Sequence, residues 1–240
     1  MKKTTIRADK LLSSLGLTSR RGVESFIKNT NVTADGTRIV EHGQRVSTHA
    51  VIKVNGSPLK RTKKVYFLLN KPKGVVSTAN DEFGRKNVVS LIKTDARIFP
   101  VGRLDRDTHG LLMLTNDGEL TNMLIHPRYH LGKTYTLKIK GQVMPSHIQK
   151  FEEGIELEDG MTQPAKITIL QRRKDATIVE LIIYEGKKRQ IRRMCEALNL
   201  TLVDLERIRF GNLTLEGLKE GEYREITGKE LEKLRQLLQK

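Results

Sequence analysis

No uninterrupted run of apolar residues in this chain exceeds five, the longest being Val65 to Leu69. A helix crossing a bilayer needs about 20 such residues, so a membrane span is excluded. The apolar positions are instead broken by charges at the spacing of short strands and amphipathic helices. Met1 to Thr5 leads into charged residues and no apolar core, so no secretory signal is expected and the chain is expected in the cytoplasm. A length of 240 residues provides for one or two domains with a sizeable core. Cys195 is the one cysteine, which excludes a disulfide framework and a cysteine-built metal site. His42, His49, His126, His130 and His147 show no ligand spacing, so neither a metal nor a cofactor is expected.

Charge points to the partner. Lys and Arg number 44 against 28 Asp and Glu, a formal net charge of +16. Residues 1–64 hold 14 of the basic and 4 of the acidic residues, so +10 of that excess sits in the first quarter of the chain. A generally basic protein is the plain alternative. A polyanion partner explains the asymmetry better, because each cation placed on a phosphate releases counterions. Composition does not choose between RNA and DNA.

Along the chain, Ala8 to Leu17 reads as a helix with Leu11, Leu12 and Leu15 on one face. Thr18 or Ser19 then caps a second helix reaching Lys28, with Val23, Phe26 and Ile27 as its apolar stripe. Val32 to Gly36 and Val51 to Gly56 are strands entering Asp-Gly and Asn-Gly turns. Ser57 to Lys64, with Pro58 and four basic residues, reads as a linker. Beyond it, Val65–Leu69, Leu111–Leu114, Thr134–Lys140 and Thr177–Tyr184 read as strands, and Asn70 to Gly74 as a loop. Asp117 can cap a short helix carrying Leu120, Met123 and Leu124. Lys187 to Leu198 and the stretch after Thr227, with Leu231, Leu234, Leu237 and Leu238, read as further helices. The order implies an α+β fold with a mixed, largely antiparallel sheet flanked by helices.

Ser19-Arg20-Arg21 at a helix start would set two guanidinium groups beside free backbone N–H groups, a phosphate clamp; a solvated helix face is the plain alternative. With Arg7, Asp9, Lys10, Leu12, Gly16, Val32 and Asp35-Gly36, this segment resembles the S4 RNA-binding domain. The resemblance implies a module over residues 1–60 that grips structured RNA, followed by a catalytic domain over 61–240.

Phe99 to Leu112 sets two carboxylates and two arginines between glycines, directly before an apolar strand. By itself this reads equally as a polar turn with a local ion pair. However, Gly102-Arg103-Leu104-Asp105, Thr108, Gly110-Leu111-Leu112 and Thr115 to Gly118 resemble the catalytic motif of RNA pseudouridine synthases. Asn70 to Gly74 and Gly186 to Met194 resemble two more motifs in the same order. The S4-like segment in front makes the match similar to the RsuA/RluB/RluE/RluF branch, over nearly the whole chain.

That resemblance implies the roles. Asp105 matches the nucleophile that attacks a flipped-out uridine, whose base detaches, turns and rejoins through C5; Asp107 is its rival two residues on. A carboxylate suits the task because it is nucleophilic when ionised and needs no metal. Arg192 matches the cation paired with it, favouring the ionised form. Tyr135, in Lys133-Thr134-Tyr135-Thr136, matches the ring that stacks on the target base, with a core tyrosine as the alternative. Arg103 matches an arginine that fills the gap left in the RNA. Lys71, Lys73, Lys188, Arg189 and Arg193 are expected phosphate contacts beside Ser19, Arg20 and Arg21, with a solvated basic face as the alternative. Cys195 reads as an inert core residue. His109 departs from the family, which favours a small residue there, and is expected at a solvent-facing corner, with a contact to the RNA as the alternative. The wording Arg189 to Met194 looks closer to the 23S enzymes of RluB type than to the 16S enzyme. The expected activity is therefore uridine isomerisation in 23S ribosomal RNA, free or in a subunit precursor, by a monomer. A 16S enzyme, a catalytically silent assembly factor and a general nucleic-acid binder are the alternatives.

Overall fold

The computed structural model describes residues 4–59 and 62–239. The chain divides into two compact units. One comprises residues up to Val65 with Thr94–Arg97 and Asn116–Gly118, and the other comprises the remainder. The expected boundary at 60/61, with Lys60 and Arg61 of the expected linker, lies outside the described residues, as do Met1 to Lys3. Among the described residues no helix is long and apolar enough to cross a membrane.

In chain order the first unit holds β1 (Thr5–Arg7), α1 (Ala8–Ser14), α2 (Val23–Asn29), β2 (Val32–Ala34), β3 (Thr37–Arg38), β4 (Arg45–Ser47), β5 (Ile52–Val54) and β6 (Ser57–Pro58). Strand β1 pairs with β4, and a second sheet runs β3-β2-β5-β6. Both hairpin turns form where the sequence places them. Asp35 and Gly36 take φ of 49° and 84°, and Asn55 and Gly56 take 50° and 84°, the paired left-handed residues of a two-residue hairpin. Leu11, Leu12 and Leu15 pack on Val23, Ile27, Val32 and Ile52 in the unit's core. Two expectations need correction. The second helix starts at Val23, because the Ser19 hydroxyl accepts the Gly22 amide at 3.0 Å and closes a turn ahead of it. Ser57 and Pro58 pair with β5 instead of opening a linker.

The second unit holds β7 (Tyr66–Lys71), β8 (Phe99–Pro100), β9 (His109–Thr115), α3 (Gly118–Ile125, its first residue in the other unit), β10 (Lys133–Lys140), α4 (Pro145–Glu153), β11 (Lys166–Arg172), β12 (Ala176–Ile183), α5 (Gln190–Ala197), β13 (Leu202–Phe210), β14 (Leu213–Thr214), β15 (Tyr223–Glu225) and α6 (Gly228–Leu237). Among the described residues a nine-stranded sheet runs β11-β12-β10-β13-β9-β7-β15, with β14 on β13 and β8 on β9. The β9–β13 pair is parallel and the others are antiparallel. The α+β class and the mixed sheet therefore hold. Strand β9 is buried from Gly110 to Thr115, as a central strand covered on both faces must be. Leu68, Leu111, Met113, Leu120, Leu124 and Leu234 pack on one side of it.

Several boundaries shift. Asn70 and Lys71 extend β7 instead of opening a loop. The helix expected from Lys187 begins at Gln190, because the Gln190 carboxamide oxygen accepts the Lys187 amide at 3.0 Å and Arg189 is left-handed at φ 50°. In α6 the Thr227 hydroxyl accepts the Glu230 amide as the expected cap, the Glu230 carboxylate accepts the Thr227 amide in return, which was not foreseen, and Leu237 faces solvent. Strands β11 and β13 were not foreseen.

Candidate active site

The segment carrying Asp105 is tied down at nearly every residue. Strand β8 pairs with Thr115 and Leu114 of β9, so residues 101–108 double back along the sheet before β9 begins. The Ser77 hydroxyl donates to Leu104 O at 2.8 Å and accepts from Leu104 N at 3.1 Å. The Gly74 amide donates to Arg106 O at 2.8 Å, and the Thr108 amide to Asp105 O at 3.1 Å. Arg192, from α5, donates through Nη2 to Asp107 O (3.3 Å) and Thr108 Oγ1 (3.2 Å). Its Nε lies 3.8 Å from Asp105 Oδ2. Arg192 therefore grips the loop by hydrogen bonds and meets the carboxylate as a nearby charge.

Lys71 corrects the expectation of a phosphate contact. It is fully buried, and its ammonium donates to the carbonyls of Pro72 (3.0 Å), Arg106 (3.3 Å) and Thr108 (2.8 Å). Three backbone acceptors use its three protons, so it pins the Asp105 loop from beneath and cannot reach RNA. Burial draws its pKa down to about 8, opposed by the charges of Asp107 and Asp105. Lys71→Met is expected to lose about 2–4 kcal/mol in urea unfolding, because buried carbonyls lose their donor. Between about pH 8 and the ordinary lysine value of 10.5 the unfolded chain binds more protons than the folded one. Folded wild type therefore gains on Lys71→Met as pH rises through that window. Unfolding midpoints at pH 7.5 and 10 check both points; a midpoint unchanged by the substitution contradicts the pinning role.

Asp105, Tyr135 and Arg192 line one cavity of about 510 Å³, in the size range of small-ligand sites. Arg103, Lys188 and Arg189 line it as well. Tyr135 is largely buried within β10 and also borders the cavity.

Other expected site residues lie elsewhere. Ser19, Arg20 and Arg21 are exposed in the first unit. Arg20 donates Nη2 to buried Asp9 at 3.0 Å. Burial alone would raise the Asp9 pKa, but Arg20, the Lys10 amide and Arg7 hold it below the ordinary value. The two-arginine clamp is thus reduced, because Arg20 already serves a buried carboxylate. Arg193 does not contact the cavity: it makes a two-pronged bond to Asp159 at 2.9 and 3.1 Å, which fixes α5 to the 158–160 turn. Lys73 pairs with Asp204. His109 is not at a solvent-facing corner. The parallel register sets it opposite Glu206, and its Nε2 lies 3.1 Å from Asp204 Oδ2. Cys195 is buried, with its thiol pushed up to about 12 by desolvation, as an inert core residue would be. Among the described residues no cluster of histidine, cysteine and carboxylate fits a metal ion.

Two cavity-lining cations went unnoticed as site residues in the sequence, Lys133 and Arg207. Lys133 had a legible signal, since it stands two residues before Tyr135 and so shares its strand face. Arg207 had none, because its position follows from the pairing of β13 with β10.

A carboxylate, an aromatic ring and a guanidinium thus border one cavity of about 510 Å³. Residues 65–197 match the RNA pseudouridylate synthase family. The ribosomal large subunit pseudouridine synthase B of Bacillus subtilis (strain 168) is 44% identical over 234 residues, covering 96% of each chain. The dual-specificity RNA pseudouridine synthase RluF of Salmonella typhi is 35% identical over 98% of this chain and 81% of its own. A crystal structure of a pseudouridylate synthase, 33% identical, superposes with a TM-score of 0.70 over 95% of this chain and 99% of that one. This chain belongs to the RNA pseudouridylate synthase family.

Proposed function

We propose that this enzyme isomerises a uridine of large-subunit ribosomal RNA to pseudouridine, with Asp105 as the nucleophile. The observation that carries the proposal is the convergence of Asp105, Tyr135 and Arg192 on one cavity. The named activity of the Bacillus relative supports the large subunit as substrate. The target nucleotide leaves its stack, which costs a few kcal/mol, and stacking on Tyr135 returns roughly 1–3 kcal/mol. The Asp105 carboxylate then attacks, at ribose C1′ or base C6; the N1–C1′ bond breaks, the base turns, C5 bonds to C1′, the bond to Asp105 breaks to return the carboxylate, and N1 takes up a proton. The C5 proton leaves, so tritium at C5 of uridine is released to solvent. Arg192 keeps a positive charge beside Asp105, and Arg103, at the cavity mouth, fills the space the base vacates. Lys188 and Arg189, both exposed, reach backbone phosphates. The test is tritium release from a C5-labelled large-subunit transcript incubated with the purified protein and a metal chelator. Release is expected; none from any ribosomal RNA, free or in precursor particles, overturns the reading.

The first unit acts in this proposal as an S4-type grip on RNA, supported by its paired hairpins and its net charge. Arg21→Ala is expected to weaken RNA binding several-fold and reduce the salt slope by about one. Arg20→Ala additionally leaves buried Asp9 with Arg7 as its one cationic partner, so it also lowers stability. Affinity and salt slope unchanged in Arg21→Ala would remove it from the grip.

A further inference from the structure

The wall of the cavity built by β10 and β13 carries two cations that the reading above leaves without a task. Tyr135 stands opposite Arg207, and Lys133 opposite Phe210. Lys133, Tyr135, Arg207 and Phe210 all line the cavity. Arg207 is 3% exposed. Its Nε donates to Leu111 O at 2.7 Å, and its guanidinium lies 5.3 Å from the Phe210 ring centre. Its Nη2 is buried and has no hydrogen-bond partner among the described residues. An orphaned donor on a buried cation is costly, so its retention needs a reason. Lys133 is half-buried, and its ammonium makes one long bond, 3.5 Å to Leu131 O. Two carboxylates line the same cavity, and both are engaged. Glu185 accepts from Gln163 N (2.9 Å) and Gln190 Nε2 (2.7 Å), and Asp105 sits beside Arg192.

We propose that Lys133 and Arg207 together bind a carbonyl oxygen of the everted uracil and hold the negative charge that the base acquires during the reaction. This rests on the reading of the cavity as the uridine pocket. Whichever carbon Asp105 attacks, an electron pair enters the ring. Breaking N1–C1′ leaves the uracil as an anion, and addition at C6 makes its C4 carbonyl an enolate. Either way the charge spreads onto the ring's carbonyl oxygens, where preformed donors in a partly dry cavity are most effective. Charge that develops only in the transition state is reported by kcat, not by RNA affinity. A backbone phosphate would be the other anion able to meet these cations. It carries its charge in the ground state too, so it would appear in affinity and in the salt slope.

Lys133 provides a readout that a structural role would not move. It shares the cavity with Arg207 on β13, with Tyr184 and Glu185 just past β12, with Arg103 and Asp105 of the loop, and with Lys187, Lys188, Arg189 and Arg192 at the approach to and in α5. Burial and the Arg207 charge pull its pKa down to about 8, with Glu185 opposing. The ammonium form is the working one, so kcat is expected to fall as pH rises through about 8. Lys133→Arg keeps the cation and should carry activity to pH 10. Lys71 titrates in the same range and is untouched by that change. A basic limb that stays in Lys133→Arg assigns the pH dependence to Lys71, and the kcat of Lys133→Met then decides the proposal.

The experiment compares wild type, Lys133→Met, Lys133→Arg and Arg207→Lys by single-turnover tritium release, with RNA affinity measured at several salt concentrations. Lys133→Met should lose about 100-fold in kcat with affinity and salt slope unchanged, a bound complex also showing that the variant is folded. Arg207→Lys should fall in kcat as well. An unchanged kcat in Lys133→Met, or a salt slope lowered by about one, overturns the proposal, the second result assigning the cation to phosphate. Asp105→Asn, run alongside, separates the two readings: full release from it would overturn the nucleophile, whatever Lys133 does.

Discussion

Asp105→Asn is expected to lower single-turnover pseudouridine formation by at least about 1,000-fold, while RNA affinity stays within about twofold of wild type. Asparagine keeps the shape and removes the charge, and its carboxamide forms no ester with the sugar or base. The backbone around it should stay in place, because its anchors do not use the Asp105 side chain. Ser77 holds Leu104, Gly74 and Lys71 hold Arg106, and Arg192 holds Asp107 and Thr108. Loss of the 3.8 Å ion pair with Arg192 removes only a modest interaction from a carboxylate that is about one-third exposed. Tritium release with labelled transcript, paired with a filter-binding titration, reads both quantities. Residual turnover above about 1% of wild type would remove Asp105 as nucleophile; a parallel collapse in affinity would mean the substitution had unfolded the loop.

The second large effect is structural and falls on Gly110. This residue sits where β9 and β13 run parallel, paired with Arg207, at φ 101°. A Cβ there would overlap the Arg207 carbonyl oxygen and lie 2.8 Å from its amide nitrogen. Both neighbours are backbone atoms of a central strand and cannot swing aside. Strain at positive φ and steric overlap each cost about 1–3 kcal/mol, so Gly110→Ala is expected to destabilise the protein by about 3–5 kcal/mol. The same seam joins the Asp105 loop, which leads into β9, to the wall carrying Tyr135 and Arg207. Activity should therefore fall more than the folded fraction does. Gly228→Ala, at the open start of α6 with no atom within 4 Å of its Cβ, is the control and should be neutral or slightly stabilising. Urea unfolding followed by fluorescence and circular dichroism checks the pair. Equal midpoints for Gly110→Ala and wild type would mean that the two strands separate without penalty.

What could be read from the chain directly was local. Asp35-Gly36 and Asn55-Gly56 specify their hairpins because few other residue pairs accept two consecutive left-handed conformations. Thr227 specifies a helix start because its hydroxyl satisfies an amide three residues on. The alternation along Thr134–Lys140 marks a half-buried strand for the same short-range reason. The motif around Asp105 was visible as a resemblance, and the gathering of Asp105, Tyr135 and Arg192 in one cavity agrees with it.

Strand β13 was hidden because Asp204, Glu206, Arg207 and Arg209 make it look like a solvated segment. Those charges are tolerated at the middle of a sheet because other elements answer them: Lys73 and His109 meet Asp204, and the Leu111 carbonyl accepts from Arg207. Lys71 looked like a surface cation for the complementary reason. A lysine within a polar stretch is ordinarily exposed, and only the convergence of three carbonyls from Pro72, Arg106 and Thr108 makes its burial tolerable. Arg20 and Arg193 read as free cations until Asp9 and Asp159 came within reach. By itself the sequence determined the hairpin turns, the Thr227 cap, the alternation and the motif that names the family. The tertiary structure alone decided which charges are spent inside the protein and which remain for a ligand, because a charge's partner is set by proximity in space and leaves no mark at a fixed spacing along the chain.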